Sequence, residues 1–144
     1  MPYPPLVVYP TEDDYRLHFE KVYCKGPVIT FDEIPVRFRK QDFDHAFYES
    51  VAKKDDTFSK KRAQKIEWIK AALEDPASER YVGWDNKKKR HDEGRRVALV
   101  MTNYVVIISI NKNSKSRFIT AFVTDTGRTL KMIRGNPKWT KKNR

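Results

Sequence analysis

Three stretches of this chain carry groups that can act on a phosphodiester. The first is His45, within Asp42-Phe43-Asp44-His45-Ala46-Phe47, and an imidazole exchanges a proton near neutral pH. The second is a run of cations, Lys87, Lys88, Lys89 and Arg90, followed by Arg95 and Arg96. The third, Arg117-Phe118-Ile119-Thr120-Ala121-Phe122-Val123-Thr124, joins a guanidinium to hydroxyls and aromatic rings. A proton-transfer group, cations and a hydroxyl-and-aromatic surface are what cleavage of RNA without a metal requires. Each stretch also has a plainer use: a polar-face histidine on a surface helix, a solvated loop, and a strand chosen for its β-propensity.

The elements that must position these groups are legible in the periodicities. Asp42 is placed to cap a helix whose apolar positions Phe43, Ala46, Phe47 and Val51 recur at i, i+3, i+4 and i+8. His45 then lies on the opposite side, and neither Asp44 nor Glu49 shares its face. A second helix is predicted over 57–74, opened by Asp56 or Thr57 and stopped by Pro76, with Phe58, Ile66, Ile69 and Leu73 as its apolar stripe. Lys60, Lys61, Arg62, Lys65 and Lys70 cover much of its remainder. A short strand, Val36–Arg39, precedes the first helix.

From Glu79 onward, β-branched and aromatic runs alternate with polar turns. The expected strands are 80–84, 96–101, 104–110 and 117–124, forming a four-stranded antiparallel meander with a two-residue turn at Thr102-Asn103. Val97–Met101 and Val105–Ile108 are apolar on both faces, which makes those strands central. Regular alternation in the last strand puts Ile119, Ala121 and Val123 on one face and Phe118, Thr120, Phe122 and Thr124 on the other. Phe118 and Phe122 are then either platforms for base stacking or part of a second core layer. Arg117 is three positions from Thr120 and points to the opposite face, unless a turn or a bulge intervenes.

Residues 1–36 hold Pro2, Pro4, Pro5, Pro10, Pro27 and Pro35 and read as an extended arm or lead-in strand pair. Within them Tyr15–Glu20 alternates like a strand, although Tyr15, Phe19 and Val22 also fit a helical stripe, and His18 reads as a surface or satisfied histidine. The organisation expected is an acidic extension, 1–36, followed by a basic domain, 37–144, whose tail beyond Gly135 frays apart from docking of Trp139. The net charge of +11 arises entirely after residue 36, and that asymmetry points to a polyanion partner, with Lys87–Arg90, Arg95 and Lys61 serving affinity.

Other classes drop out. No apolar run approaches a membrane span and no secretory leader is visible, which makes the cytosol the expected compartment. Cys24 is the single cysteine, so no disulfide framework exists, and with His18, His45 and His91 scattered there is no zinc-ligand spacing. His91-Asp92-Glu93 reads as solvated polar sequence. No metal and no cofactor is expected, and no P-loop, dinucleotide fingerprint or Ser/His/Asp arrangement is present.

The order of parts, from Asp42-x-x-His45 through a helix ending Leu73-Glu74-Asp75-Pro76, Tyr81-Val82-Gly83-Trp84, a basic hairpin, paired apolar strands and Arg117-Phe-Ile-Thr120-Ala-Phe122, resembles the phage-type nucleases of the barnase, EndoU, colicin and RelE-like superfamily. The resemblance covers about Val36 to Thr126 and implies an α+β fold, with two helices on a four-stranded antiparallel sheet. It implies a toxin-like, metal-independent endoribonuclease of prokaryotic or phage origin, in which the ribose 2′-hydroxyl attacks its own phosphate to leave a cyclic phosphate. By that analogy His45 is the acid or base, Arg117 and Arg96 hold the phosphate, and Thr120 donates a hydrogen bond to it. The implied partners are RNA, tRNA among them, and a cognate antitoxin or immunity protein. In the superfamily the late strand usually reads Thr-Ala-Tyr; here Phe122 removes the phenol. Two alternatives stay open: a catalytically inert nucleic-acid-binding domain, and a toxin-fold protein that engages a protein partner.

Overall fold

A computed structural model describes residues 3–82, 96–110, 116–124 and 127–139, together with the backbone of 84–85 and 90–91. The segment expected to be an extended arm folds as helix α1 (Glu12–Tyr23). Thr11 and Asp14 form a reciprocal capping box at its start, Thr11 accepting from the Asp14 N–H and the Asp14 carboxylate accepting from the Thr11 N–H. Prolines at 10 and 27 lie outside the helix, so they delimit it rather than forbid it. Of the two readings open for 15–20 the helical one holds: Tyr15 and Phe19 are fully buried, while the third buried position is Tyr23 and the expected Val22 is half-buried.

Strands β1 (Val28–Ile29) and β2 (Pro35–Arg37) follow, then the six-residue helix α2 (Asp42–Phe47). A small hairpin, β3 (Tyr48–Glu49) with β4 (Thr57–Phe58), replaces the expected start of the second helix. That helix is broken into α3 (Lys60–Ala63), capped by Ser59 rather than by Asp56 or Thr57, and α4 (Ile66–Glu74). Then come β5 (Glu79–Val82), a short pair β6 (Trp84–Asp85) and β7 (Arg90–His91), β8 (Arg96–Met101), β9 (Tyr104–Ile110), β10 (Ser116–Val123) and a helix, α5 (Gly127–Arg134), between the last expected strand and the tail that begins at Gly135.

The described residues thus form an α+β fold with five helices and a six-stranded mixed sheet of order β1-β2-β10-β9-β8-β5. The meander β5-β8-β9-β10 is antiparallel, as expected. The expectation of two helices on four strands is corrected by the addition of α1, α3 and α5 and of strands β1 and β2. The junction is the one parallel pairing among the described residues, β2 beside β10, with Val36 opposite Ser116 and Arg37 opposite Arg117.

Helices α1, α2 and α4 cover one face of the sheet around an aromatic centre. Phe19 has its ring centroid 5.2 Å from Tyr23, 5.9 Å from Phe38, 5.8 Å from Phe43 and 5.9 Å from Phe47. Phe38 in turn stacks on Phe118 at 4.9 Å, which ties the end of β2 to β10. Tyr15, Phe19, Tyr23, Val28, Ile34 and Val36 therefore share one core with the residues that follow them. A smaller layer on the opposite face gathers Tyr81, Ala98, Val100 and Val105 under Leu130 and Ile133 of α5. Trp139 is docked at 2% exposure, its backbone N–H bonded to the Arg80 carbonyl.

The chain before α1 is a strap across the helices. Tyr3 stacks on Trp68 with ring centroids 4.1 Å apart, its hydroxyl donates to the Met101 carbonyl, and the Trp68 indole donates to the Pro4 carbonyl. Because Phe19 touches four other rings in a dry centre, Phe19→Ala should cost about 3–5 kcal/mol. Leu17→Ala, on the exposed side of the same helix, should stay within about 0.5 kcal/mol of wild type. Denaturant unfolding with a common m-value checks both.

Candidate functional site

Strand β10 sets the site through one irregularity. Phe118 pairs with Ile108 and Thr120 with Ile107, so Ile119 is an extra residue, a β-bulge. The bulge corrects the alternation expected from sequence. Phe118 and Ala121 now share the main core, while Arg117, Thr120 and Phe122 belong to the other face. Arg117 and Thr120, expected on opposite faces, come together. Phe118, at 1% exposure, is closed to base stacking, and Phe122 is half-buried in the layer beneath α5.

Helix α2 lies against the bulged part of β10. Phe43, Ala46 and Phe47 bury its inner side, and Arg16 of α1 grips its outer side, with its guanidinium 4.3 Å from the Phe43 ring centre and 2.8 Å from the Asp44 carboxylate. The Thr120 hydroxyl donates to the His45 carbonyl at 2.7 Å. That bond satisfies a carbonyl in the last turn of a very short helix. In this conformation the hydroxyl proton is used on the His45 carbonyl, where the resemblance implies that it is donated to a phosphate. Asp42 does not cap α2. Its buried carboxylate turns back to accept from the Arg39 N–H at 2.8 Å and from its guanidinium at 3.3 Å.

His45 is 42% exposed at its side chain and its Nδ1 is 3.4 Å from Asp55 Oδ2. When Nδ1 carries the proton it donates to that carboxylate, and Nε2 is then the acceptor of the ring. Asp55 and Lys54 come from the loop after β3, a loop built around Asp56. The Asp56 carboxylate accepts from the N–H groups of Val51, Ala52 and Lys53 at 2.9, 2.9 and 3.0 Å. Those bonds lower its pKa from 3.8 to about 2. Asp55 itself sits at φ 50°, in the left-handed region, and its N–H is bonded to Ser50 Oγ.

The result is an open cleft of about 360 Å³ that brings His45, Arg96, Arg117, Phe118 and Thr120 to one place, five residues singled out from sequence. Arg39, Asp42, Lys54 and Asp55 join them. Arg39 and Lys54 were hidden among many surface cations, and Asp55 reaches His45 only through the fold of a loop. The one visible signal is Asp56-Thr57, which the spacing offers as a helix start and in which Asp56 instead clamps the loop. Lys61, on α3, is not among the cleft residues. Lys87, Lys88, Lys89 and Arg95, and the side chain of Arg90, lie outside the described residues, as does His91-Asp92-Glu93 beyond the backbone of His91. Among the described residues, no three His, Cys, Asp or Glu side chains gather as a metal site would require, and no helix is long and apolar enough to cross a membrane.

Comparison with family models, with curated proteins and with solved structures returns no match to this chain. The functional reading therefore rests on the geometry of the cleft and on the chain's own residues.

Asp56→Ala should release the loop and accelerate amide exchange at Val51, Ala52 and Lys53, with α1 unaffected. The sign with pH follows from the depressed pKa. Protection of the loop is fully present above about pH 4 and is lost as pH falls through about 2, and an exchange series in acid reads it directly.

Proposed function

We propose that the protein is a metal-independent endoribonuclease of the toxin type. The observation that carries this reading is the placement of His45, buttressed by Asp55, in one cleft with Arg39, Lys54, Arg96 and Arg117. The resembled layout supports it: α2 and α4 stand for the two helices, and β5-β8-β9-β10 for the four-stranded antiparallel sheet, with α1, α3, α5, β1 and β2 as additions.

In the proposed reaction, His45 Nε2 takes the proton of a ribose 2′-hydroxyl. The freed oxygen attacks the adjacent phosphorus, the bond from phosphorus to the 5′-oxygen breaks, and the departing oxygen takes a proton from a water whose hydroxide then removes the proton held by His45. The products are a 2′,3′-cyclic phosphate and a 5′-hydroxyl end. Arg117 and Arg96 face the non-bridging oxygens, where charge gathers in the pentacoordinate transition state, and guanidinium forks match that geometry. Asp55 balances the charge gained by the imidazole.

One observation favours a second reading, RNA binding without cleavage. In-line transesterification is fastest with both a base and an acid. Of the other acidic groups in the cleft, Asp42 is bound to Arg39 and Asp55 to His45.

Incubation of the wild-type chain and His45→Ala with total RNA and tRNA in EDTA separates the two. The expected result is discrete wild-type cleavage with cyclic-phosphate ends, slowed by about 10²–10⁴-fold in the variant. Intact RNA held by both proteins in a salt-dependent manner would replace the nuclease reading with the binding one. Cleavage by both at equal rate would remove His45 from the mechanism.

A further inference from the structure

The cleft does not end at Arg117. Arg37 is the Cα partner of Arg117 in the parallel pair, Arg117 is opposite Ser109, and Ser109 is opposite Arg96. Directly paired residues project from the same face of a sheet, so Arg37, Arg117, Ser109 and Arg96 form one row across four strands. Their neighbours fix which face this is: Val36, Ser116, Ile110 and Val97, one position along each strand, are all buried. The three arginines are exposed and Ser109 is half-buried. The small layer beneath α5 covers Tyr81, Ala98, Val100 and Val105 further along the same face, and it stops short of this row.

We propose that this row is the track for a single-stranded polynucleotide backbone, which crosses the strands from β8 to β2 with successive phosphates on Arg96, Arg117 and Arg37. The inference rests on the ribonuclease reading of the cleft and adds to it a direction and a residue, Arg37, that lies outside the cleft. The row spans about 14 Å at about 4.8 Å per strand step. It presents planar guanidinium groups, each able to take two phosphate oxygens. The scissile phosphate lies at Arg117, beside Thr120 and His45, so Arg37 holds a neighbouring phosphate on the far side of it. There the face continues into Pro35 and Ile29, which are paired with each other, and Ile29 is 47% exposed. That apolar step beside a cation is where a base can rest once its phosphate is held, and backbone-tracking cations with adjoining apolar surface are the general plan of single-strand sites.

The test is fluorescence anisotropy of a short 2′-O-methyl oligouridylate, which cannot be cleaved, with the wild-type chain, Arg37→Gln and Lys70→Gln over a salt series. Lys70 is an exposed cation on α4 and serves as the control. Arg37→Gln should weaken binding about tenfold, the worth of one charge-assisted contact. It should also reduce the slope of log K against log salt by about 0.7, one phosphate on a single strand. Lys70→Gln should change neither. If the wild type binds and cleaves RNA while Arg37→Gln keeps both affinity and slope, the track is wrong and the ribonuclease reading stands. If the wild type does not bind the oligonucleotide at any salt, the track is overturned together with the reading it rests on.

Discussion

A β-strand turns successive side chains to opposite faces, and β10 breaks that rule once, at Ile119. The consequence is spatial before it is chemical. Phe118 enters the core against Phe38, Thr120 moves to the face of Arg117, and α2 finds a hydroxyl to terminate against. In a regular strand the arginine and threonine would lie on opposite sides of the sheet and His45 would lose its anchor. Bulges re-aim side chains at the cost of a ladder hydrogen bond, and here the cost falls next to the cleft. On the proposed reading, both the chemistry and the phosphate track depend on this single insertion.

Around it, the protein fixes a short helix from four directions. Six residues make a helix too short to persist alone, and α2 survives because its neighbours determine it. Phe43 and Phe47 anchor the core side, Arg16 spans Asp44 and Glu12, Asp42 holds Arg39, and Thr120 takes the His45 carbonyl. The loop that delivers Asp55 is organised in the same way by one carboxylate on three amides. Rigidity at the cleft therefore comes from polar contacts at its edge and aromatic packing behind it.

What the sequence disclosed follows from where the information lies. Strands β8 and β9 were legible because Val97–Met101 and Val105–Ile108 are buried on both sides, and their turn, Thr102-Asn103, is local. Helix α1 was obscured by counting prolines instead of locating them; Thr11 and Asp14 spelled its start. The break between α3 and α4 and the hairpin β3-β4 left no such mark, because Phe58 fits a helical stripe and a strand equally well. His45, Arg96, Arg117 and Thr120 could be named from residue types and order. That Asp55, Arg39 and Lys54 complete their surroundings depends on contacts across the tertiary fold, which no local pattern encodes. The bulge was only a condition under which Arg117 and Thr120 would meet, and nothing in Arg117–Thr124 announces it.

The parallel pairing of β2 with β10 joins distant parts of the chain: Ser116 Oγ donates to the Pro35 carbonyl, 81 residues away. Contacts of such separation form late, because a long loop must close before they return any stabilisation. During synthesis the segment holding Arg37, Arg39 and His45 leaves the ribosome well before the one holding Arg117 and Thr120. A ribosome making this protein thus carries a chain with no assembled cleft until β10 has emerged and docked. On the proposed ribonuclease reading, the messenger and tRNA around the growing chain meet no assembled cleft until β10 has been made, and topology alone sets that delay.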